Sequence, residues 1–228
     1  MYKPDKVSGL ILTALAVGSV YGSPAMALSG DKGSRMPSSL ALETLIKVNG
    51  DNHQALLDGS KSLIEDIATR GIGFLSDKSL GEKKRESEFR DLLNDSFDMK
   101  TIGRFALGRY WRGTTDAQKK EYQKLFNELI VRVYTARFKE YDGQKLEVAG
   151  ARKDSANDDV IVKSLIIPNS GGQKVAVEWR VRQKNGKFKV VDISVEGVSM
   201  ALTQRSDFAS VIQRGGGDVE ALLAHLRK

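Results

Sequence analysis

The residues able to do chemistry in this chain are few and scattered. It holds two histidines, His53 and His225, and no cysteine. Neither histidine stands in an H-x-x-x-H or H-E-x-x-H spacing, so neither belongs to a ligand pair on one helical face, and no metal is expected. Without thiols there is no thiolate nucleophile and no disulfide framework. No G-x-S-x-G, Walker A or G-x-G-x-x-G pattern occurs, and no cofactor is expected. Asp192 is the one carboxylate that invites an acid–base reading, because the strand pattern aims it at an apolar face beside Trp179. A carboxyl buried there either carries a raised pKa and moves a proton, or accepts the indole N–H and ties the strand to a neighbouring loop. No second acid or base is placed to work with it, which favours the structural role.

The element that positions these residues is a hairpin. Lys174 to Gln183 and Lys187 to Val195 read as strands joined at Asn185-Gly186, the favoured pair for a two-residue type I′ turn. In that register Val181 faces Val190, Gln183 faces Phe188 and Trp179 faces Asp192. One face then carries Val177, Trp179, Val181, Phe188 and Val190, and the other places Glu178, Arg180 and Arg182 beside Val191, Ile193 and Val195. Lys145 to Lys153 and Val160 to Ile167 read as two earlier strands.

Helices lie on both sides of these strands. Thr115 to Tyr141 reads as one long amphipathic helix, with Tyr122, Leu125, Phe126, Leu129, Ile130, Val133, Tyr134, Phe138 and Tyr141 on one stripe. Thr115 and Gln118 form a capping box and Asp142-Gly143 forms the stop, which gives a length of roughly 40 Å. Before it come helices at Ser39 to Val48, stopped by Asn49-Gly50, at Ser60 to Phe74, at Glu82 to Asn94, and from Asp98 to a break at Gly108. After the strands come a turn at Glu196 to Met200 and helices at Ser206 to Gln213 and Val219 to Leu226, the last capped by Asp218. Helices first and antiparallel strands later make an α+β domain with the long helix laid on the sheet.

The apolar inventory is generous for one such domain. Phe105, Tyr110 and Trp111, with Phe126 and Tyr134, fill a core or line a cavity, and periodicity alone does not separate the two. The chain begins with Lys3 and Lys6, an apolar run from Val7 to Val20 and Ser23-Pro24-Ala25-Met26-Ala27. These are the n-region, h-region and A-x-A site of an export signal ending at Ala27. A retained anchor is the alternative, against which the small-residue site argues. Leu28 to Ser38 is a polar, flexible leader, so the expected division is 1–27 signal, 28–58 leader with room for one short helix, and 59–228 a single domain. The net charge of +7 falls by one when Lys3, Lys6 and Asp5 leave with the signal. In an exported basic protein the anionic partners are membrane surfaces and acidic proteins rather than nucleic acid, and the alternative is a solvated basic face with no specific partner.

Leu107-Gly108-Arg109-Tyr110-Trp111-Arg112, then Thr115 with Gln118, Trp179, Val190-Val191-Asp192 and Val195-Glu196-Gly197-Val198-Ser199 resemble the MlaC family. These periplasmic phospholipid-binding proteins are also called toluene-tolerance proteins and are auxiliary components of an ABC transport system. The resemblance covers about Ser60 to Leu226 and implies that the single domain, 59–228, is lipid-binding. It implies an NTF2-like curved antiparallel sheet of about four strands under a helical layer. It also implies a non-enzymatic periplasmic carrier that holds acyl chains inside and leaves the head group near the mouth. Implied partners are an outer-membrane lipoprotein complex and an inner-membrane MCE-domain ABC transporter complex, with transient membrane proximity. Hopanoid-associated relatives make a hopanoid the alternative cargo, and an NTF2-like enzyme using Asp192 the alternative function. The lining expected on this basis is Phe105, Leu107, Tyr110, Trp111, Phe126, Leu129, Ile130 and Val133 from the helices. Val177, Trp179, Val181, Phe188 and Val190 join it from the strands, with Met200 near the mouth. Arg109 and Arg112 are the candidates for a phosphate or for acidic partners.

The export reading predicts that protein recovered from a periplasmic extract begins at Leu28. Intact mass measurement checks it, and a mass retaining residues 1–27 contradicts cleavage.

Overall fold

A computed structural model describes residues 39–228, with side chains from residue 51 onward. The expected export signal and Leu28 to Ser38 lie outside the described residues. The chain runs α1 (Ser39–Ser76), α2 (Glu82–Ser96), α3 (Met99–Leu107), a 3-10 turn (Gly108–Arg112), α4 (Asp116–Thr135) and a second 3-10 turn (Phe138–Glu140). Strands β1 (Lys145–Lys153), β2 (Val160–Ile167), β3 (Val175–Lys184), β4 (Lys187–Val195) and β5 (Val198–Ser199) follow, then α5 (Met200–Arg214) and α6 (Val219–Leu226). The fold is α+β, with one antiparallel sheet in the order β1-β2-β3-β4-β5. A fifth strand of two residues joins the four expected.

The helices differ from their sequence patterns mainly at their ends. The capping box at Thr115 forms: Gln118 N–H donates to Thr115 Oγ1 and Thr115 N–H to Gln118 Oε1. The helix it opens ends at Thr135 instead of Tyr141, so α4 is about 30 Å long. The apolar pattern outlasts the helix because Phe138, in the 3-10 turn, packs on Phe74 and Phe89 at 5.7 and 5.3 Å between ring centres. The longest helix is α1, whose 38 residues pass through the expected stop at Asn49-Gly50 and join two segments read separately. The short helix expected at Ser39 to Val48 is thus part of this longer one, which also takes in residues 49–58. Gly59 lies within it because a Cβ there would sit 2.4 Å from the Phe188 ring of β4. Helix α5 begins at Met200 instead of Ser206, and the Ser199 hydroxyl caps it by accepting the Leu202 N–H at 3.1 Å.

The hairpin turn is as expected, with Asn185 and Gly186 at positive φ, and Val181 pairs with Val190 and Gln183 with Phe188. A β-bulge then intervenes. Arg180 pairs with Asp192 and Trp179 with Ile193, which leaves Val191 without a partner on β3. The extra residue flips the rest of β4, so Ile193 and Val195 share the face of Trp179 and Val177. The expected pairing of Trp179 with Asp192, and of Ile193 and Val195 with the opposite face, is corrected. Trp179 Nε1–H donates at 2.8 Å to Ser164 Oγ, which is buried on β2. On the outer face Arg182 grips Asp159 with two bonds of 2.7 and 2.9 Å. The Asn157 amide and the Arg180 guanidinium hold the Asp154 carboxyl down at about 2.

Packing divides into two cores. Ile64, Ile67 and Phe74 of α1 and Leu92 of α2 cover Val160, Val162, Val177, Trp179, Val181 and Val190 of the sheet. Ala106, Leu107, Tyr122, Phe126, Phe208 and Ile212 pack with Val219, Leu222, Leu223 and Leu226 among the remaining helices. The buried Tyr122 hydroxyl donates to Gly103 O at 2.8 Å, and its burial pushes its pKa up.

Ser164→Ala should leave the buried Trp179 N–H unpaired and cost about 1–3 kcal/mol in denaturant unfolding. A loss within error of zero would show that the indole finds another acceptor.

Candidate functional site

A cavity of about 830 Å³ lies where the two cores fail to meet. The sheet core contributes Ile67, Leu92, Trp179 and Val190, and the helical core contributes Phe126, Phe208 and Leu226. This volume is in the upper part of the range of about 300–1,000 Å³ typical of small-molecule sites. Each wall has a local origin in the sequence. On α4, Phe126, Leu129, Ile130 and Val133 recur at helical spacing on the stripe turned to the cavity. On β4, the bulge brings Ile193 beside Trp179 and adds it to the floor.

The wall formed by α5 is held by Asp192. Its Oδ2 accepts the Ser199 hydroxyl at 2.6 Å, and its Oδ1 accepts the N–H groups of Ile193 at 2.8 Å and Ala201 at 3.1 Å. The carboxylate thus ties the first turn of α5 to the end of β4. Both its oxygens accept from neighbours in the chain, and the Trp179 indole donates to Ser164 instead of to Asp192 as the structural reading expected. The second joint is at Phe97, which bridges to Val190, while Asp98 N–H donates to Val190 O at 2.9 Å. Asp98 also caps α3 through Thr101.

The structure brings together Phe126, Leu129, Ile130, Val133, Trp179, Val190 and Met200 of the expected lining. It places the others elsewhere. Leu107 is buried in the helical core, and Tyr110 and Trp111 pack on the outside of that core. Val177 and Val181 are buried in the sheet core, with Phe188 packed against it. Phe105 is 40% exposed, with the Arg205 guanidinium 5.3 Å from its ring centre. Arg109 stacks on Tyr110 at 5.0 Å and donates to its hydroxyl, and Arg112 is exposed at the end of the same 3-10 turn. Neither arginine lines the cavity.

Sequence reasoning missed Phe89 and Leu93 of α2, Phe97, and Met99 and Ile102 of α3. Their apolar spacing was visible, but which side of each short helix would face a gap was not. It also missed the polar rim. The exposed liners Arg132, Val133, Tyr134, Asp207, Ser210, Arg214 and His225 mark the opening, between the C-terminal halves of α4 and α5 and the end of α6. Buried liners lie at the floor and are almost wholly apolar. Among the described residues no group of three or more His, Asp or Glu side chains converges as a metal site. Among them, too, no helix is long and apolar enough to cross a membrane.

Such a site can take an elongated apolar body inside and leave a charged end at the rim. The comparisons with known proteins agree in kind. The chain is 26% identical over 123 residues to the intermembrane phospholipid transport system binding protein MlaC of Haemophilus influenzae, covering 53% of this chain and 58% of that relative. It is 23% identical over 163 residues to the toluene tolerance protein ttg2D of Pseudomonas putida, covering 69% and 75% of the two chains. A phospholipid-binding protein of Ralstonia solanacearum, solved in complex with a phospholipid, superposes with a TM-score of 0.62 at 26% identity. That superposition covers 75% of this chain and 94% of the other. The model of the MlaC protein family matches residues 65–228. The chain belongs to the MlaC family.

Proposed function

We propose that this protein is a soluble carrier of phospholipid, holding acyl chains in the cavity between its two cores. The single observation that carries the reading is an apolar cavity of about 830 Å³ with a polar rim, in a chain whose structural relative from Ralstonia solanacearum is a phospholipid complex. The energetics support it. Each buried methylene contributes about 0.8 kcal/mol, so a tail of roughly 16 carbons supplies on the order of 13 kcal/mol before ordering costs. Retention then depends chiefly on the length of chain buried.

The reading extends to a route. The signal-like segment before Leu28 supports a periplasmic location. The likeness to the Haemophilus influenzae protein, a binding protein of an intermembrane phospholipid transport system, supports a role in such transport. On this reading the carrier exchanges lipid with an outer-membrane lipoprotein complex and with an inner-membrane MCE-domain ABC transporter. The reading is non-enzymatic, and the three hydrogen bonds already made to Asp192 support that.

Protein purified without detergent should release stoichiometric phospholipid on organic extraction, identified by mass spectrometry. A hopanoid in its place would change the cargo, and an empty protein that takes nothing from liposomes would contradict the carrier reading. Val133→Trp, at a rim position 44% exposed, should leave folding intact and lower the lipid recovered severalfold. Unchanged lipid in the folded variant would show that the chains do not pass Val133.

A further inference from the structure

The rim of the cavity is charged in a pattern that the acyl chains do not require. Along α5, Thr203, Asp207, Ser210 and Arg214 recur at intervals of four, three and four and form one polar strip on the cavity side. Across the opening, Arg132 stands in the last turn of α4. Asp207, Arg214 and Arg132 are exposed at the opening, and none forms a side-chain hydrogen bond or ion pair with any described residue. Asp207 and Arg214 are two helical turns apart, about 10 Å along the axis, and make no direct bond to each other. A ligand carrying both an anion and a cation can satisfy them together.

We propose that this rim reads the head group, with Arg132 and Arg214 holding the phosphate and Asp207 receiving a primary ammonium group beyond it. The ligand class is a zwitterionic phosphoethanolamine lipid, in preference to one whose head group ends in a neutral glycerol. Guanidinium groups suit phosphate oxygens through paired N–H donors. A carboxylate distinguishes an ammonium from a glycerol by charge, whereas both arginines attract any phosphodiester. The inference rests on the carrier reading and moves the head-group contact from Arg109 and Arg112, which are outside the cavity, to the rim. Because the rim is exposed, each contact is worth the amount of a surface ion pair, a factor of about two to five in relative affinity.

The test equilibrates lipid-free protein with vesicles of equal phosphatidylethanolamine and phosphatidylglycerol, then measures by mass spectrometry both the total lipid bound and the ratio of the two. Relative to the unmodified protein, Asp207→Asn should lower the ethanolamine-to-glycerol ratio about two- to fivefold with total lipid maintained. The double variant Arg132→Gln with Arg214→Gln should move the ratio in the opposite direction, since loss of positive charge weakens the anionic lipid more. Arg112→Gln, an equal change of charge away from the cavity, should leave the ratio unchanged. Ratios that do not move in the rim variants, or that move equally in Arg112→Gln, overturn the head-group assignment while the carrier reading stands. A protein that takes up neither lipid overturns both.

Discussion

Two hydrophobic cores with a cavity lined from both are the constraint on which this structure depends. The sheet core under α1 and the helical core around Tyr122 and Phe208 are each closed by their own side chains. Two of the ties between them are polar and local: Asp192 on the first turn of α5, and the Phe97–Asp98 backbone on Val190. Hydrogen bonds of this kind fix a distance, whereas hydrophobic contact would draw the surfaces together until they filled one another. The gap between the cores stays open because its edges are pinned and its floor is made of side chains that have already packed on their own side.

The β4 bulge is the smallest element with the largest effect. By adding Val191 to the strand it turns Ile193 and Val195 onto the inner face, and it aims the Asp192 carboxylate at the start of α5. One inserted residue thereby supplies part of the apolar floor and the tether for one wall. The same geometry gives the Asp192 carboxylate, which lines the cavity, a structural part in the proposed function. It accepts from Ser199, Ile193 and Ala201, and this holds the wall in place.

Much of the fold was legible in the sequence because its signals are local. The Thr115–Gln118 capping box, the Asn185-Gly186 turn and the Asp218 cap each fix a few residues, and each is where it was expected. Boundaries set by distant contacts were not legible. Asn49-Gly50 is a sound stop signal in isolation, yet α1 continues through it, and Gly59 is explained only by Phe188 of a strand far along the chain. For the site, α4 was readable since one long stripe must face the interior. The motif around Tyr110 and Trp111 pointed away from the cavity: its aromatic residues cover the outside of the helical core, where Arg104 and Lys119 approach the Trp111 ring. Charged rim residues such as Arg132 and Asp207 resemble any solvated helix face until two helices are seen to border one opening.

The most direct measurement is photo-crosslinking with a phospholipid that carries a carbene precursor at the end of one acyl chain, followed by peptide mass spectrometry of the labelled protein. Labels should fall on the floor between the cores, at Leu92, Phe126, Trp179, Val190 and Ile193. Labels confined to Phe105, Tyr110 and Trp111 on the outside of the helical core would place the chains on the surface and contradict an interior site between the two cores.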